Sequence, residues 1–149
     1  MRRALAGCLI ACGIAAAPAA GAISTPSRAT LTGFVCERAP DPLDRALAVT
    51  AVMRPAPGTQ RMAMRFVLLR RPSGGSFSPL PGRDLGRWLT PNPATLGQRP
   101  TDTWKLDKLV VNLTAPAAYR FRVTFRWTGA SGAVLGRTTL QSPICVQRG

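Results

Sequence analysis

The sequence predicts an all-β domain of about seven short antiparallel strands, arranged as a sandwich or a barrel. Apolar and polar residues alternate strictly in AYRFRVTFRW (118–127), which is the pattern of a half-buried strand. The chain contains 14 Gly and 14 Pro, and they recur between the apolar runs, where they favour turns. No run has the 3.6-residue period of an amphipathic helix. Short strands joined by frequent turns are typical of both architectures.

Three strands are expected in the first half of the chain. Residues 30–37 (TLTGFVCE) alternate well enough for an edge strand, and the prolines of the ERAPDPLD segment oppose both a helix and a central strand. Residues 46–53 and 61–69 each place apolar side chains on one face. Because only the short turn RPAPGTQ separates these two runs, we expect them to pair as a β-hairpin.

This hairpin would bring Met53, Met62 and Met64 together on one face. Thioether sulfur is a soft ligand that suits Cu(I), so a copper site is one interpretation. The other is that these flexible side chains fill the core. Because such copper sites usually add His ligands and the sequence contains no His, we expect core packing and no cofactor.

Residues 70–102 interrupt the strand pattern with closely spaced Gly and Pro. A loop of this length is usually functional, disordered or interrupted by short strands. Arg87 and Trp88 are its candidate partner-binding residues, because Arg and Trp are enriched at binding hot spots. The alternative is that Trp88 covers one end of the core.

The second half of the chain returns to regular alternation. In 103–113 the apolar phase slips by one residue near Asp107 and Lys108, which predicts a β-bulge. The 118–127 strand follows, then the turn GASG (129–132) and a bent strand over 133–146. The expected inward-facing residues are Leu47, Val49, Met62, Met64, Phe66, Trp104, Leu106, Val111, Phe121, Val123 and Phe125.

The stretch NLTAPAAYRFRV (112–123) resembles the Leu, Pro, Tyr pattern that precedes an alternating strand in fibronectin type III and immunoglobulin-like domains. The wider set LGRW, TW, VVNLTAPAAYRFRVTFRW and a late Cys, over residues 30–147, is similar to small exported immunoglobulin-like proteins of high-GC Gram-positive bacteria. The resemblance implies an immunoglobulin/fibronectin-III-like sandwich and export, and it implies no activity. In that family the tyrosine equivalent to Tyr119 bonds back to the preceding corner.

The sequence departs from the family pattern at two places. Pro116 precedes the tyrosine by three residues, where four is usual, and the cysteines lie near the chain ends.

Residues 1–22 have the layout of a secretory signal peptide, with two arginines, an apolar run and small residues before the cleavage positions. Residues 23–29 are then a flexible lead-in, residues 30–149 form the sandwich domain, and the protein is expected to be secreted or in the cell envelope. Cys8 and Cys12 also stand in LAGC and LIAC, which look like bacterial lipoprotein cleavage boxes. The apolar run before each box is short, so a lipid anchor is the less favoured alternative.

Removal of the leader leaves Cys36 and Cys145, an even pair that predicts one disulfide in an exported protein. A catalytic thiol is the alternative, but it lacks a histidine base.

The inventory of titratable residues argues against an enzyme. Without His the chain cannot form a Ser-His-Asp triad or supply an imidazole base. Among its six acidic residues, Asp41 and Asp44 could form a carboxylate pair for sugar chemistry, but they lie in a proline-rich turn near Arg38 and Arg45, where salt-bridged capping is the ordinary role. We therefore expect no catalytic residues.

The formal net charge is +14, and loss of Arg2 and Arg3 with the leader leaves +12 on the side chains, which favours anionic partners. Arg120, Arg122 and Arg126 lie on the polar face of one strand. Alternate residues of a strand are about 6.8 Å apart, comparable to the phosphates of a polymer. Arg65 or Arg71 would widen this stripe if a neighbouring strand carries them on the same face.

Two functions remain open. The first is an exported, non-catalytic structural or protein-binding module that uses the 70–102 loop, with the partner unknown. The second is a binder of anionic polymers, such as a cell-wall polymer, an acidic polysaccharide or a nucleic acid, through Arg120, Arg122 and Arg126. A solvated sheet face is the ordinary alternative for such arginines. We also expect the aromatic side chains to point inward, which would leave none on this face for base stacking.

Overall fold

The computed structural model describes residues 27–149, and these form nine strands in two antiparallel sheets. The strands are β1 (Ala29–Glu37), β2 (Ala46–Met53), β3 (Arg61–Pro72), β4 (Ser78–Leu80), β5 (Trp88–Leu89), β6 (Trp104–Val111), β7 (Ala117–Thr128), β8 (Val134–Gln141) and β9 (Cys145–Gln147). A 3₁₀ turn spans Pro42–Asp44, and Asp41 caps it by accepting a hydrogen bond from the backbone N–H of Leu43. The predicted signal peptide and the lipoprotein boxes lie outside the described residues.

The two sheets pack face to face, which confirms the predicted sandwich, and the arrangement is consistent with an immunoglobulin-like fold. One sheet has the order β1-β2-β6. The other has the order β4-β3-β7-β8, with β5 also paired to β3 and β9 to β7. Nine strands form instead of about seven, because the 70–102 loop contains β4 and β5 and the last predicted strand divides into β8 and β9.

The expected hairpin of 46–53 with 61–69 is wrong, since β2 pairs with β1 and β6 while β3 pairs with β7. Alternation shows that each strand buries one face, but it does not distinguish strands that lie side by side from strands that face each other across a core. The segment between them, which contains Pro55 and Pro57, crosses from one sheet to the other. Met53, Met62 and Met64, for which core packing was expected over a copper site, are fully buried in the shared core.

The predicted β-bulge near Asp107 and Lys108 is also wrong, because β6 pairs with β2 in one unbroken register. The alternation of β6 therefore continues, so that Lys108 faces the core side while Leu109 and Val111 face outward. Val111, expected in the core, is 49 % exposed. The other expected core residues are buried, apart from Leu106, which is partly buried against the core.

The described part of the fold is closed by a disulfide between Cys36 at the end of β1 and Cys145 at the start of β9, as predicted. The two cysteines are 109 residues apart in sequence, and their Cα atoms are 5.5 Å apart. Gln147 is 1 % exposed beside the disulfide and donates a hydrogen bond of 2.8 Å to the carbonyl of Glu37. The first and last strands are thus held together by covalent and polar contacts.

Tyr119 makes the corner contact that the resemblance implied. Its side chain is 1 % exposed, and its hydroxyl donates a 2.8 Å hydrogen bond to the carbonyl oxygen of Thr114, five residues earlier. Since the ring is buried and its hydroxyl is paired, Tyr119→Phe should leave that carbonyl without its partner and lower the free energy of unfolding by about 1–2 kcal/mol. Urea unfolding of the two proteins measures the difference. An unchanged unfolding midpoint would assign no stabilising role to the corner bond.

Asp102 closes the loop before β6 through hydrogen bonds to the backbone of that same loop. Its carboxylate accepts hydrogen bonds from the backbone N–H groups of Gly97 at 2.7 Å and Arg99 at 3.1 Å. Gly97 is buried with φ +105°, and a Cβ there would lie 2.6 Å from Met62 Cε, so the loop packs directly on a core side chain. The two backbone hydrogen bonds hold the pKa of Asp102 below its ordinary value of 3.8.

A lowered pKa in the folded state means that the ionised carboxylate stabilises the fold above the ordinary Asp pKa. This stabilisation is lost as the pH falls through the lowered folded-state pKa. We therefore expect Asp102→Ala to be less stable than the wild type at pH 5–7, and we expect the two thermal midpoints to converge below about pH 3.8. Thermal unfolding of both proteins across pH 2–7 measures this. A midpoint difference that stays constant over the whole range would contradict the assignment.

Candidate anion-binding face

The outer face of the larger sheet carries seven arginines, here called the arginine face. They come from the alternate, outward positions of β3, β7 and β8: Arg61, Arg65, Arg71, Arg120, Arg122, Arg126 and Arg137. The three arginines predicted on one strand are brought together with three from β3 and one from β8. Arg65 and Arg71 do lie on the adjacent strand and face the same way, which was the condition for a wider basic patch.

Trp88 lies among three of these arginines. In β5 it pairs in register with Arg65 of β3, so both side chains lie on the arginine face. The guanidinium carbon of Arg126 lies 4.1 Å from the centroid of the Trp88 ring, that of Arg65 5.0 Å and that of Arg137 5.9 Å. These are cation–π distances. Trp88 therefore lies on the arginine face and does not cover an end of the core.

Phe77 forms a second cluster further along the same face. It precedes β4, and its ring centroid lies 4.3 Å from the guanidinium carbon of Arg120 and 4.9 Å from that of Arg71. The expectation that no aromatic side chain lies on this face is therefore wrong. The alternation correctly predicted that the aromatic side chains of β7 point inward. Trp88 and Phe77 come instead from the 70–102 loop, whose path the sequence pattern does not describe.

Three of the arginines that contact Trp88 and Phe77 have partly buried guanidinium groups. The Nε atoms of Arg65, Arg120 and Arg126 are buried and make no hydrogen bond within residues 27–149, whereas none of their terminal nitrogens is both buried and unpaired. A guanidinium presented through its terminal nitrogens offers two parallel N–H donors, which match two oxygens of a carboxylate, phosphate or sulfate group. Because the aromatic rings already restrict these side chains, less conformational entropy is lost when an anion binds.

The arginine face has no carboxylate of its own. In the part of the chain that the structure describes, the ion pairs join Asp84 to Arg87 and, at 3.7 Å, to Lys108. Lys108 faces the sandwich interior, and burial together with the nearby charge of Arg87 lowers its pKa. None of the seven arginines is neutralised in this way. Arg87, predicted with Trp88 as a partner-binding residue, is exposed but engaged by Asp84.

The smaller sheet has a very different outer face. Its outward positions carry one Glu (Glu37), one Asp (Asp107) and one Lys (Lys105), with small, apolar or Thr residues between them. Val35 and Leu109 flank Ala48 in one row across the three strands and are 44 % and 61 % exposed. One side of the sandwich is thus strongly cationic, and the other is nearly neutral and partly apolar.

Over residues 27–149, no three His, Cys, Asp or Glu side chains are grouped so that they could hold a metal ion. No helix in that range has the length and apolar character needed to cross a membrane. No family model, no curated protein and no solved structure matches this chain.

Proposed function

We propose that this protein is an exported, non-catalytic binding module that holds anionic polymers on its arginine face. The observation that carries the proposal is that seven arginines share one sheet face with no carboxylate among them. Like charges gathered on one surface repel one another, and bound anions relieve that repulsion. An ordinary solvated surface mixes both signs of charge, so this separation favours a binding role over a merely soluble one.

The layout of the face suits an extended polymer better than a single small ion. From Arg61 to Arg71 the face follows β3 for ten residues, which corresponds to about 33 Å at the usual rise per residue. Side chains on one face repeat every 6.8 Å or so along a strand, a spacing that repeated phosphate, sulfate or carboxylate groups can follow. Since several guanidinium groups already stack on Trp88 and Phe77, we assign these rings to holding arginines and not to stacking on bases.

A salt series tests this proposal. The purified protein, with its disulfide closed, is applied to immobilised polyphosphate, to an acidic polysaccharide and to a neutral polysaccharide of similar length. We expect retention on the two polyanions, and we expect log K to fall linearly with log salt concentration by about 0.7–0.9 for each neutralised arginine. Equal retention on the neutral polymer, or binding that does not change with salt, would refute the proposal.

A second candidate function is protein binding at the opposite sheet. The exposed row of Val35, Ala48 and Leu109, with Val111 beside it, favours an apolar contact that the arginine face does not offer. This keeps the structural or protein-interaction role open but moves it from the 70–102 loop to the smaller sheet. Leu109→Asp should abolish such a contact without changing polymer retention. If partner capture from an envelope extract survives that substitution, this candidate fails.

A further inference from the structure

A groove with a volume of about 330 Å³ opens on the arginine face between the Trp88 and Phe77 clusters. Val67 lies in its lining and is the cross-strand partner of Arg122, while Arg65 stands two residues before Val67 on the same strand. Pro79 of β4, together with Pro81 and Leu85 from the segment between β4 and β5, also lines the groove. A hydrogen bond of 2.7 Å from the backbone N–H of Gly86 to the carbonyl of Phe66 fastens this segment to β3.

The lining combines two kinds of chemistry. Arg65 and Arg122 supply the charge, and the other side chains in the lining are aliphatic or proline, with no carboxylate, amide or hydroxyl among them. A bare inorganic anion would pair with the arginines but leave the apolar walls exposed to water. A neutral polar molecule would find few hydrogen-bond partners, and a purely apolar one would have to bury next to two cations. The groove therefore complements a molecule with one anionic end and one apolar body.

We propose that this groove binds a small amphiphilic anion, namely an aryl or alkyl group that carries a phosphate or carboxylate. Arg65 is already oriented by Trp88, at 5.0 Å from the ring centroid, with its Nε buried. Arg122 is exposed and stands opposite Val67, so the anionic end lies between the two guanidinium groups while the body contacts Val67, Leu85 and the prolines. The groove volume is at the lower end of the range for small-molecule sites, which suits a single aromatic ring or a short chain.

This site contains two of the seven arginines. Its binding of small anions can be tested separately from polymer binding. Val67→Trp fills the groove without changing any charge, and Arg122→Gln removes one of its two cations. Arg61→Gln is the matched control, because it removes one charge from an exposed arginine of the same face that lies outside the groove lining. Dispersion of the amide NMR spectrum verifies that each variant is folded before binding is measured.

The probes are phenyl phosphate, inorganic phosphate and benzyl alcohol, titrated at constant ionic strength and followed by amide shifts. We expect phenyl phosphate to bind at least tenfold more tightly than either of the others, with shifts concentrated at Val67, Leu85 and Gly86. Val67→Trp and Arg122→Gln should each weaken this binding by about tenfold or more, and Arg61→Gln should change it less than twofold.

Equal affinities for phenyl phosphate and inorganic phosphate would overturn the proposal, as would unchanged binding in Val67→Trp, because either result assigns the interaction to the charge of the face alone. Polymer retention of Val67→Trp separates the groove proposal from the polymer proposal: loss of phenyl phosphate binding with polymer retention intact supports both.

Vesicles that contain phosphatidic acid provide a second experiment. Vesicle binding that Val67→Trp weakens together with phenyl phosphate binding would identify a lipid headgroup as the source of the anion. Vesicle binding that Val67→Trp leaves unchanged would assign the vesicles to the arginine face and the groove to a soluble ester.

Discussion

The triple variant Arg120→Gln, Arg122→Gln, Arg126→Gln is expected to bind polyanions at least a hundredfold more weakly than the wild type at moderate salt. Each arginine near an anionic surface contributes about 1 kcal/mol, so three contribute about 3 kcal/mol. The salt dependence should also become less steep, with the slope of log K against log salt decreasing by about 2–3 because three fewer counterions are displaced. Retention or isothermal titration across 50–300 mM salt measures both quantities.

A matched control has the same total charge as the triple variant but leaves the arginine face intact. Arg38, Arg54 and Arg99 are exposed and lie outside that face, so their combined change to Gln also removes three positive charges. We expect this control to retain most of the affinity and nearly the full salt slope. If the two triple variants lose affinity equally, net charge alone attracts the polymer and the proposed face has no special role.

Removal of the disulfide is expected to cause the largest loss of stability. In the chain-entropy model, a cross-link that closes a loop of about 100 residues stabilises a protein by about 4.7 kcal/mol, and Cys36 and Cys145 are 109 residues apart. The double variant Cys36→Ala, Cys145→Ala should therefore lose about 4–5 kcal/mol of unfolding free energy, which is a large fraction of the stability of an ordinary domain. Urea unfolding of the variant and of the oxidised wild type gives this difference.

Reduction provides an independent check of the same bond. A thiol reductant should destabilise the wild type by about the same amount as the double substitution, and it should leave the double variant unchanged. A loss below 1 kcal/mol in both experiments would show that contacts at the chain ends, such as the hydrogen bond from Gln147 to Glu37, already hold β1 and β9 together.

Much of the fold could be predicted from the sequence because each strand carries its own local signal. The alternation of β7, the disulfide pair and the corner tyrosine depend on spacing and residue type, and all three have the expected place in the structure. The pairing partners of β2 and β3 could not be predicted, because strands that lie side by side and strands that face each other across a core show the same alternation. In β6, apolar residues on both faces produced an apparent phase slip where the strand is in fact regular.

Only part of the candidate site could be predicted from the sequence, for a similar reason. The arginines of β7 and β3 could be assigned to one side of their strands, but the contacts of Trp88 with Arg126 and Arg137 join residues that are far apart in the chain. These contacts depend on the path of the 73–89 segment, which is set by two short strands, β4 and β5, with no clear periodicity of their own. The one local clue is that Phe77 and Trp88 stand in a Gly- and Pro-rich loop without the alternation that would place them in the core.

Because the outer faces of the two sheets differ in charge, one side of the molecule is strongly cationic and the other is nearly neutral. In the field of an anionic surface, the separation of charge exerts a torque that turns the larger sheet toward the surface before contact is made. Adsorbed molecules would consequently share one orientation, with Val35 and Leu109 on the side exposed to solution. A dense layer of this protein would convert a negatively charged, hydrated surface into one that is nearly neutral and partly apolar, and so change which other molecules adhere to it.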